Sequence, residues 1–390
     1  MPHIMKKVHP FLFYLLYFGA NACFFPYVVL YYQSLGFTGT QIGLLSAISP
    51  LISLVGAPFW TGLADVSRRH RLVMSITLLV SIGLVMTYPL LKTISAVFVI
   101  VSLYSFMIAP VNSFADSATM TMLGDQQNMY GRIRAGGTIG WGFIAPIAGI
   151  VIERFGLNWA FWSYAAIMFI GFLISQQFKY NHVQQTVSLK SGMRELFSNQ
   201  RMVLFLVTAF VSGMGLMAIN VYLGPYMAEL GIGGSLLGVA LAIATISELP
   251  VLFFGNRLLN KLKPHGLLIL SMCAVTVRLF FYALFQTTAG ILWFQLINGF
   301  TFAALWVAGV SYINENAPPG LSATTQAVFG AAVFGFGSAG GGFIGGILLE
   351  QVGGAAMFAF FGFTTLLMLI VYTLVERRLP RLVPSQVSGG

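Results

Sequence analysis

Long apolar runs broken by brief polar stretches fill this chain from about residue 10 to about residue 376. A membrane crossing takes about 20 residues of helix. On that measure the pattern predicts twelve helices, over roughly 10–35, 40–64, 71–91, 94–122, 131–153, 158–178, 200–229, 234–257, 266–287, 289–314, 321–350 and 355–376. One long polar stretch, Lys179 to Gln200, divides them six and six. The expected organisation is a six-helix bundle over 1–178, a cytoplasmic loop over 179–199, a second bundle over 200–378 and a tail over 379–390.

Seventeen of the twenty basic residues fall on the side of the N-terminus, Lys6, Lys7, Arg68, Arg69, Arg71, Lys190, Arg194 and Arg381 among them. Only Lys92 and Arg154 fall on the other side, and Arg278 lies inside a span. Basic loops stay in the cytoplasm, so both termini are expected there. The two halves also repeat each other. Leu35-Gly36-Phe37-Thr38-Gly39 matches Leu230-Gly231-Ile232-Gly233-Gly234, and GIVIERFGLNWAF from Gly149 matches GILLEQVGGAAMF from Gly346. The offsets are 195 and 197, and the acids Glu153 and Glu350 coincide. A duplicated unit of unchanged topology implies two bundles related by an axis along the membrane normal.

Composition agrees: 57% of residues are hydrophobic and 8% charged, the balance of a polytopic membrane protein. The net charge of +10 sits in short loops rather than on one basic face, which argues against nucleic-acid binding. Cys23 and Cys273, far apart in apolar segments, read as small core residues rather than a disulfide. The five histidines are expected in tails or loops, so neither a His relay nor a transmembrane metal site is expected. The first apolar run is too long for a signal peptide and reads as a span.

Five charges lie within or at the edges of apolar stretches: Asp116, Arg132, Arg134, Glu248 and Arg278. An ionisable side chain at mid-bilayer costs roughly 2.5–3.5 kcal/mol on insertion scales, so such residues are retained for use or for pairing. Two acids with a few arginines suit a transporter that couples a solute to protons.

Six plus six spans with a long central loop resemble the major facilitator superfamily. The loop Gly62-Leu63-Ala64-Asp65-Val66-Ser67-Arg68-Arg69-His70-Arg71 is similar to that superfamily's gating signature, though its second Gly is missing. In that reading Gly62, Asp65, Arg68, Arg69 and Arg71 hold the cytoplasmic side shut, the acid pairing basic groups across the halves. The run Tyr130-Gly131-Arg132-Ile133-Arg134-Ala135-Gly136-Gly137-Thr138-Ile139-Gly140-Trp141 resembles the fifth span of the lactose permease and 3-phenylpropionate permease branch. Gln295, Asn298 and Thr301 stand where lactose permease carries Lys, His and Glu, so its proton site does not transfer. Glu248, ahead of Phe253-Phe254, fits the acid of the phenylpropionate-type permeases instead.

The resemblance implies an all-α membrane fold of twelve helices in two pseudo-symmetric bundles. It also implies proton-coupled uptake by alternating access in a bacterial plasma membrane. Asp116 and Arg134, on neighbouring antiparallel helices, are expected to form a pair that binds a hydroxyl or carboxylate, or else a structural ion pair. Glu248 is expected to carry the proton with Asp116 as second candidate, pairing Arg278 when ionised and releasing it when protonated. Trp141, two turns from Arg134, is expected to stack on a ring or to pack in the core. Asn21, Asn220 and Asn298 are expected to line the cavity or to bond between helices. The partners expected are a small molecule, protons and lipid, with no cofactor and with the chain a monomer.

Sugars, aryl carboxylates and nucleosides remain open as substrates. Proton-antiport efflux remains a competing mode, on a faint antiporter-like run at Gly142–Gly149. A receptor or scaffold lacks a signalling domain, and an enzyme lacks a nucleophile–base pair, metal set or phosphate loop.

Overall fold

The computed structural model describes residues 2–180, 197–317 and 322–378. The central segment 181–196 with His182, Lys190 and Arg194, and the tail 379–390 with Arg381, lie outside the described residues. The described residues are helical almost throughout, with no strand among them. The first half holds α1 (Pro2–Ser34), α2 (Gly39–Ser67), α3 (His70–Thr87), α4 (Ile94–Ile108), α5 (Val111–Leu123), α6 (Tyr130–Phe155) and α7 (Asn158–Ser175). The second holds α8 (Gln200–Glu229), α9 (Gly234–Leu284), α10 (Thr288–Gln295), α11 (Ala304–Asn316), α12 (Ser322–Gly330) and α13 (Ser338–Arg378).

Among the described residues, ten helical stretches are long and apolar enough to cross a membrane. Two of them, Gly234–Leu284 and Thr324–Arg378, run to 51 and 55 residues, far beyond the ~20 a bilayer needs. Each contains a break. In α9 it falls at Lys263 (φ 59, ψ 163), ahead of Pro264, whose ring disfavours the α conformation in the residue before it. In α13 it falls at Gly353 (φ 80, ψ 169).

Three predicted spans are less regular than expected. The fourth is interrupted at Ala109–Pro110, because Pro110 lacks the N–H needed to continue the ladder. The tenth carries a π-helical turn at Gly299–Ala303 and the eleventh another at Ala331–Gly337. Such turns concentrate where side chains are re-aimed for function.

Backbone geometry repeats with the sequence offset. Gly36 (φ 78) and Gly231 (φ 72) end α1 and α8. In both caps an N–H bonds a carbonyl five residues back, Phe37 to Tyr32 at 3.2 Å and Ile232 to Met227 at 2.8 Å. Arg68 (φ 56) pairs with Lys263 (φ 59), and Gly156 (φ 94) with Gly353 (φ 80). Thr93 and Thr287 each cap the next helix with a side-chain oxygen. Local chain conformation is thus shared at positions 194 to 197 residues apart.

The core is apolar and aromatic, for example Phe24 against Tyr88, Tyr104, Phe161 and Tyr164. Helix ends alternate between two faces of the molecule. One, the terminal face, carries residues 65–70, 124–130 and 260–265. The other, the far face, carries residues 34–39, 153–158, 229–235 and 350–354.

Candidate functional site

Two polar clusters lie within the apolar helices. The first is built by α1, α5 and α6. The glycines of the 131–141 run bring α6 against α1: a Cβ on Gly136 would lie 2.6 Å from the Phe11 carbonyl oxygen, and one on Gly137 2.5 Å from the Phe18 ring. That approach sets the Arg134 guanidinium over the Tyr14 and Phe18 rings, 5.3 and 5.5 Å from their centroids. Arg134 donates to Asp116 Oδ1 at 3.1 Å, and the Tyr14 hydroxyl donates to the same oxygen at 2.5 Å. Thr119 Oγ1 donates to the Tyr14 hydroxyl at 3.4 Å. Asp116 and Arg134 keep 38% and 37% of their side-chain surface exposed. Nearby, Asn112 Nδ2 donates to the Tyr17 hydroxyl at 3.4 Å.

The second cluster joins α9 to the irregular segment between α10 and α11. Arg278 is buried, yet each of its three nitrogens donates a hydrogen bond. It donates to Gln295 Oε1 at 2.5 Å, Tyr282 Oη at 2.9 Å, Thr301 Oγ1 at 3.3 Å and, in a short bond, Asn298 Oδ1. Asn298 Nδ2 donates in turn to Glu248 Oε1 at 2.7 Å. The amide is therefore a bridge from Arg278 to Glu248. The expected direct Glu248–Arg278 pair is corrected on this point: Asn298 stands between them, and no ion pair joins the two among the described residues. The π turn and the break before it make this possible. They turn Gln295, Asn298 and Thr301 toward Arg278 together, which an unbroken helix would splay over 6 residues.

The chain's relatives fit this architecture. The model of the MFS_1 like family matches residues 11–360. The chain belongs to that family. It is a multi-pass membrane transporter of the major facilitator superfamily, not an enzyme. The uncharacterized transporter YwbF of Bacillus subtilis is 24% identical over 90% of this chain and 88% of its own. The maltose permease of Geobacillus stearothermophilus is 26% identical over 96% and 95%. The crystal structure of the nucleoside transporter NupG shares the fold, with a TM-score of 0.84 over 95% of this chain and 99% of that one at 18% identity.

Other predicted positions of the transporter fall outside the two clusters. Trp141 is half-buried next to Gly142, where a Cβ would meet Thr245 Cγ2 at 3.4 Å, so α6 and α9 face each other here. Asn21 is buried. Its Nδ2 donates to the Tyr17 carbonyl at 2.7 Å, while its Oδ1 has no hydrogen-bond partner among the described residues. Asn220 is exposed on α8 and enters neither network among the described residues.

The loop around Asp65 also departs from expectation. Asp65 Oδ1 bonds His70 Nε2 of the same half at 2.7 Å, instead of a basic group of the other half. Arg68 closes α2 in the left-handed region and Arg69 precedes α3. Arg71 donates to the Phe178 carbonyl at 2.9 Å, and a Cβ on Gly62 would meet nothing within 4 Å. His3 and His9 in α1, His70 in α3 and His265 in α9 all lie in helices rather than tails or loops, His265 bonding Tyr372 Oη at 3.0 Å and lying 3.6 Å from Glu376.

Tyr14, Tyr282 and Gln295 were not singled out as site residues. Spacing carried a signal for Tyr282 alone, since it stands one turn from Arg278 on the same helix. Tyr14 and Gln295 act through tertiary contacts.

Proposed function

We propose that the chain takes up a small organic solute, a sugar or an aromatic carboxylate, by proton symport and alternating access. The observation that carries this is the Glu248–Asn298–Arg278 chain. A lone acid on a membrane helix is linked through one neutral amide to a buried arginine whose three nitrogens all donate hydrogen bonds. Loss or gain of a proton at Glu248 changes the field at Arg278, and the Asn298 amide is the part that must reorient. In this reading Glu248 is the proton carrier, with Asp116 the second candidate.

Asp116 and Arg134, held by Tyr14, bind a hydroxyl or carboxylate of the substrate. Trp141 stacks on its ring, and Asn21, Asn220, Asn298 and Arg278 complete the polar lining. The maltose permease relative supports the sugar arm, and the fold shared with NupG keeps nucleosides in the test.

The architecture proposed with this mechanism is twelve spans in two six-helix bundles, 1–178 and 200–378, related by a pseudo-twofold axis along the membrane normal. The breaks at Lys263 and Gly353 divide the two overlong helices at the points where the repeat expects a loop. Both termini are cytoplasmic, so the terminal face is the cytoplasmic one. Gly62, Asp65, Arg68, Arg69 and Arg71 then close that face in the alternate, outward-open state, and the chain works as a monomer.

The test is current recorded from reconstituted protein on a solid-supported membrane, with sugars, aryl carboxylates and nucleosides, each with and without a pH gradient. An inward positive current for one class establishes electrogenic symport and names the substrate. An aryl acid needs more than one proton per anion, because one-to-one coupling is silent. Export driven by an inward proton gradient in vesicles would overturn uptake in favour of antiport.

A further inference from the structure

The far face holds a feature that substrate binding and proton coupling leave unused. Hydrogen bonds at this face join the two halves. Glu153 Oε2, at the end of α6, accepts from the Ser235 backbone N–H at 2.7 Å. Glu350 Oε2, in α13, accepts from the Thr40 N–H at 2.7 Å and from the Thr40 hydroxyl at 2.8 Å. The Tyr27 hydroxyl donates to the Gly234 carbonyl at 3.2 Å.

The two carboxylates are equivalent in the repeat, 197 residues apart, and so are their targets, 195 apart. Thr40 and Ser235 are each the second residue of their helix, α2 and α9. Their N–H groups are among those a helix start leaves without an internal partner, at the positive end of the helix dipole. Each half thus caps a helix of the other.

Glycines beneath the caps let the backbones close. A Cβ on Gly43 would lie 2.8 Å from the Phe343 carbonyl oxygen, and one on Gly149 2.7 Å from that of Gly234. Gly233, just ahead of α9, leaves room for Glu153: a Cβ there would lie 2.7 Å from Glu153 Oε1.

We propose that Glu153 and Glu350 form a paired latch that holds the far face shut, and that both caps must break for the transporter to open toward that side. The proposal rests on the alternating-access reading above, but its test needs no substrate, so the two can fail separately. Spin labels at Lys92→Cys and Gln286→Cys, exposed in far-face loops of opposite halves, report the opening by pulsed electron resonance. The background is Cys23→Ala and Cys273→Ala.

Each Glu→Gln change removes the charge–dipole attraction and keeps the shape. It is expected to raise the open population about two- to five-fold, and the pair Glu153→Gln/Glu350→Gln roughly by the product. Arg154→Gln, a charge change beside Glu153 outside the caps, is expected to leave the distances unchanged. An unaltered distance distribution in the Gln pair overturns the latch. So does an equal shift in Arg154→Gln, which would make the effect one of surface charge in general. If the double variant is not recovered as a monodisperse protein, the two single variants are read by the same criterion.

Discussion

The bridge through Asn298 makes a quantitative prediction about Arg278. Two hydrogen bonds and one amide set the Glu248 carboxylate and the Arg278 guanidinium about 7 Å apart, and at an effective dielectric of about 20 their attraction is about 2 kcal/mol. Removing Arg278 leaves Gln295 Oε1 buried without its donor and Asn298 Oδ1 with only the 3.3 Å contact from Thr301 Oγ1. Breaking a buried charged network from one side costs about 3–5 kcal/mol. Arg278→Gln is therefore expected to destabilise by that order, and Glu248→Gln by less, since Gln can still accept from Asn298 Nδ2.

The informative quantity is their coupling. In a double-mutant cycle, read from reversible unfolding in mixed micelles, the two changes are expected to interact by about 2 kcal/mol. Repeating the cycle in Asn298→Leu removes the bridge and separates the two contributions: the through-space attraction persists, and any fall in coupling is the part carried by the amide. Coupling near zero in the parent would refute the argument, because the acid and the arginine would then be energetically separate. Coupling unchanged by Asn298→Leu would refute the amide as the link.

Further outcomes follow from the same geometry. Glu248→Gln is expected to abolish uphill accumulation while counterflow exchange persists, and accumulation against a gradient in that variant would remove Glu248 as carrier. Arg134→Lys is expected to lose transport at normal expression, because Lys cannot bond Asp116 and a ligand with a planar fork; retained transport would make the pair structural. Tyr14→Phe removes one of the two donors to Asp116 Oδ1. A bond to a charged group is worth about 1.5–3 kcal/mol, so apparent substrate affinity is expected to fall by roughly ten-fold or more, measured as the half-saturating concentration. Gly149→Val forces a side chain against the Gly234 carbonyl and is expected to lengthen the Lys92→Cys to Gln286→Cys distance.

The repeat was legible in the sequence because it is written in residues that fix backbone shape. Gly36 and Gly231 occupy left-handed caps that other residues enter at a cost, so the two halves kept them in register. The Asp116–Arg134 contact was legible because the motif around Arg134 states both the charge and the small residues that let α6 reach α1. The Asn298 bridge was not. Periodicity assumes an unbroken helix, and the tenth predicted span departs from one at Leu296–Ala303. Direct pairing of Glu248 with Arg278 was the simplest use of two opposite charges, but it took no account of the neutral amide between them. The partner of Asp65 was equally hidden, since a motif gives residue types and not the conformation in which they meet.

The two acid sets differ in a way that fits their proposed tasks. Glu153 and Glu350 are exposed, so water replaces their backbone partners readily when the helices part. A latch made this way is shallow, and it needs to be: a transporter whose two states differ by more than a few kcal/mol would stay in one of them. The Glu248 network is buried at Arg278, Gln295, Asn298 and Thr301, with Glu248 itself half-buried at its edge, so the interior members do not readily exchange partners for bulk water. Its cost of rearrangement is high unless charge changes within it, which is what a proton supplies. Sensitivity to protons therefore belongs with the acid tied to the buried network and ease of opening with the exposed pair. Exchanging the characters, by burying Glu350 under a larger residue than Thr40 or by opening the Glu248 cluster to water, is expected to slow the cycle in the first case and to uncouple it in the second. Thr40→Phe and Val251→Ser make those changes at one site each. The first is read as the rate of counterflow exchange and the second as proton leak without substrate. A leak from the Thr40 variant, or slow but fully coupled transport in the Val251 variant, would reverse the assignment.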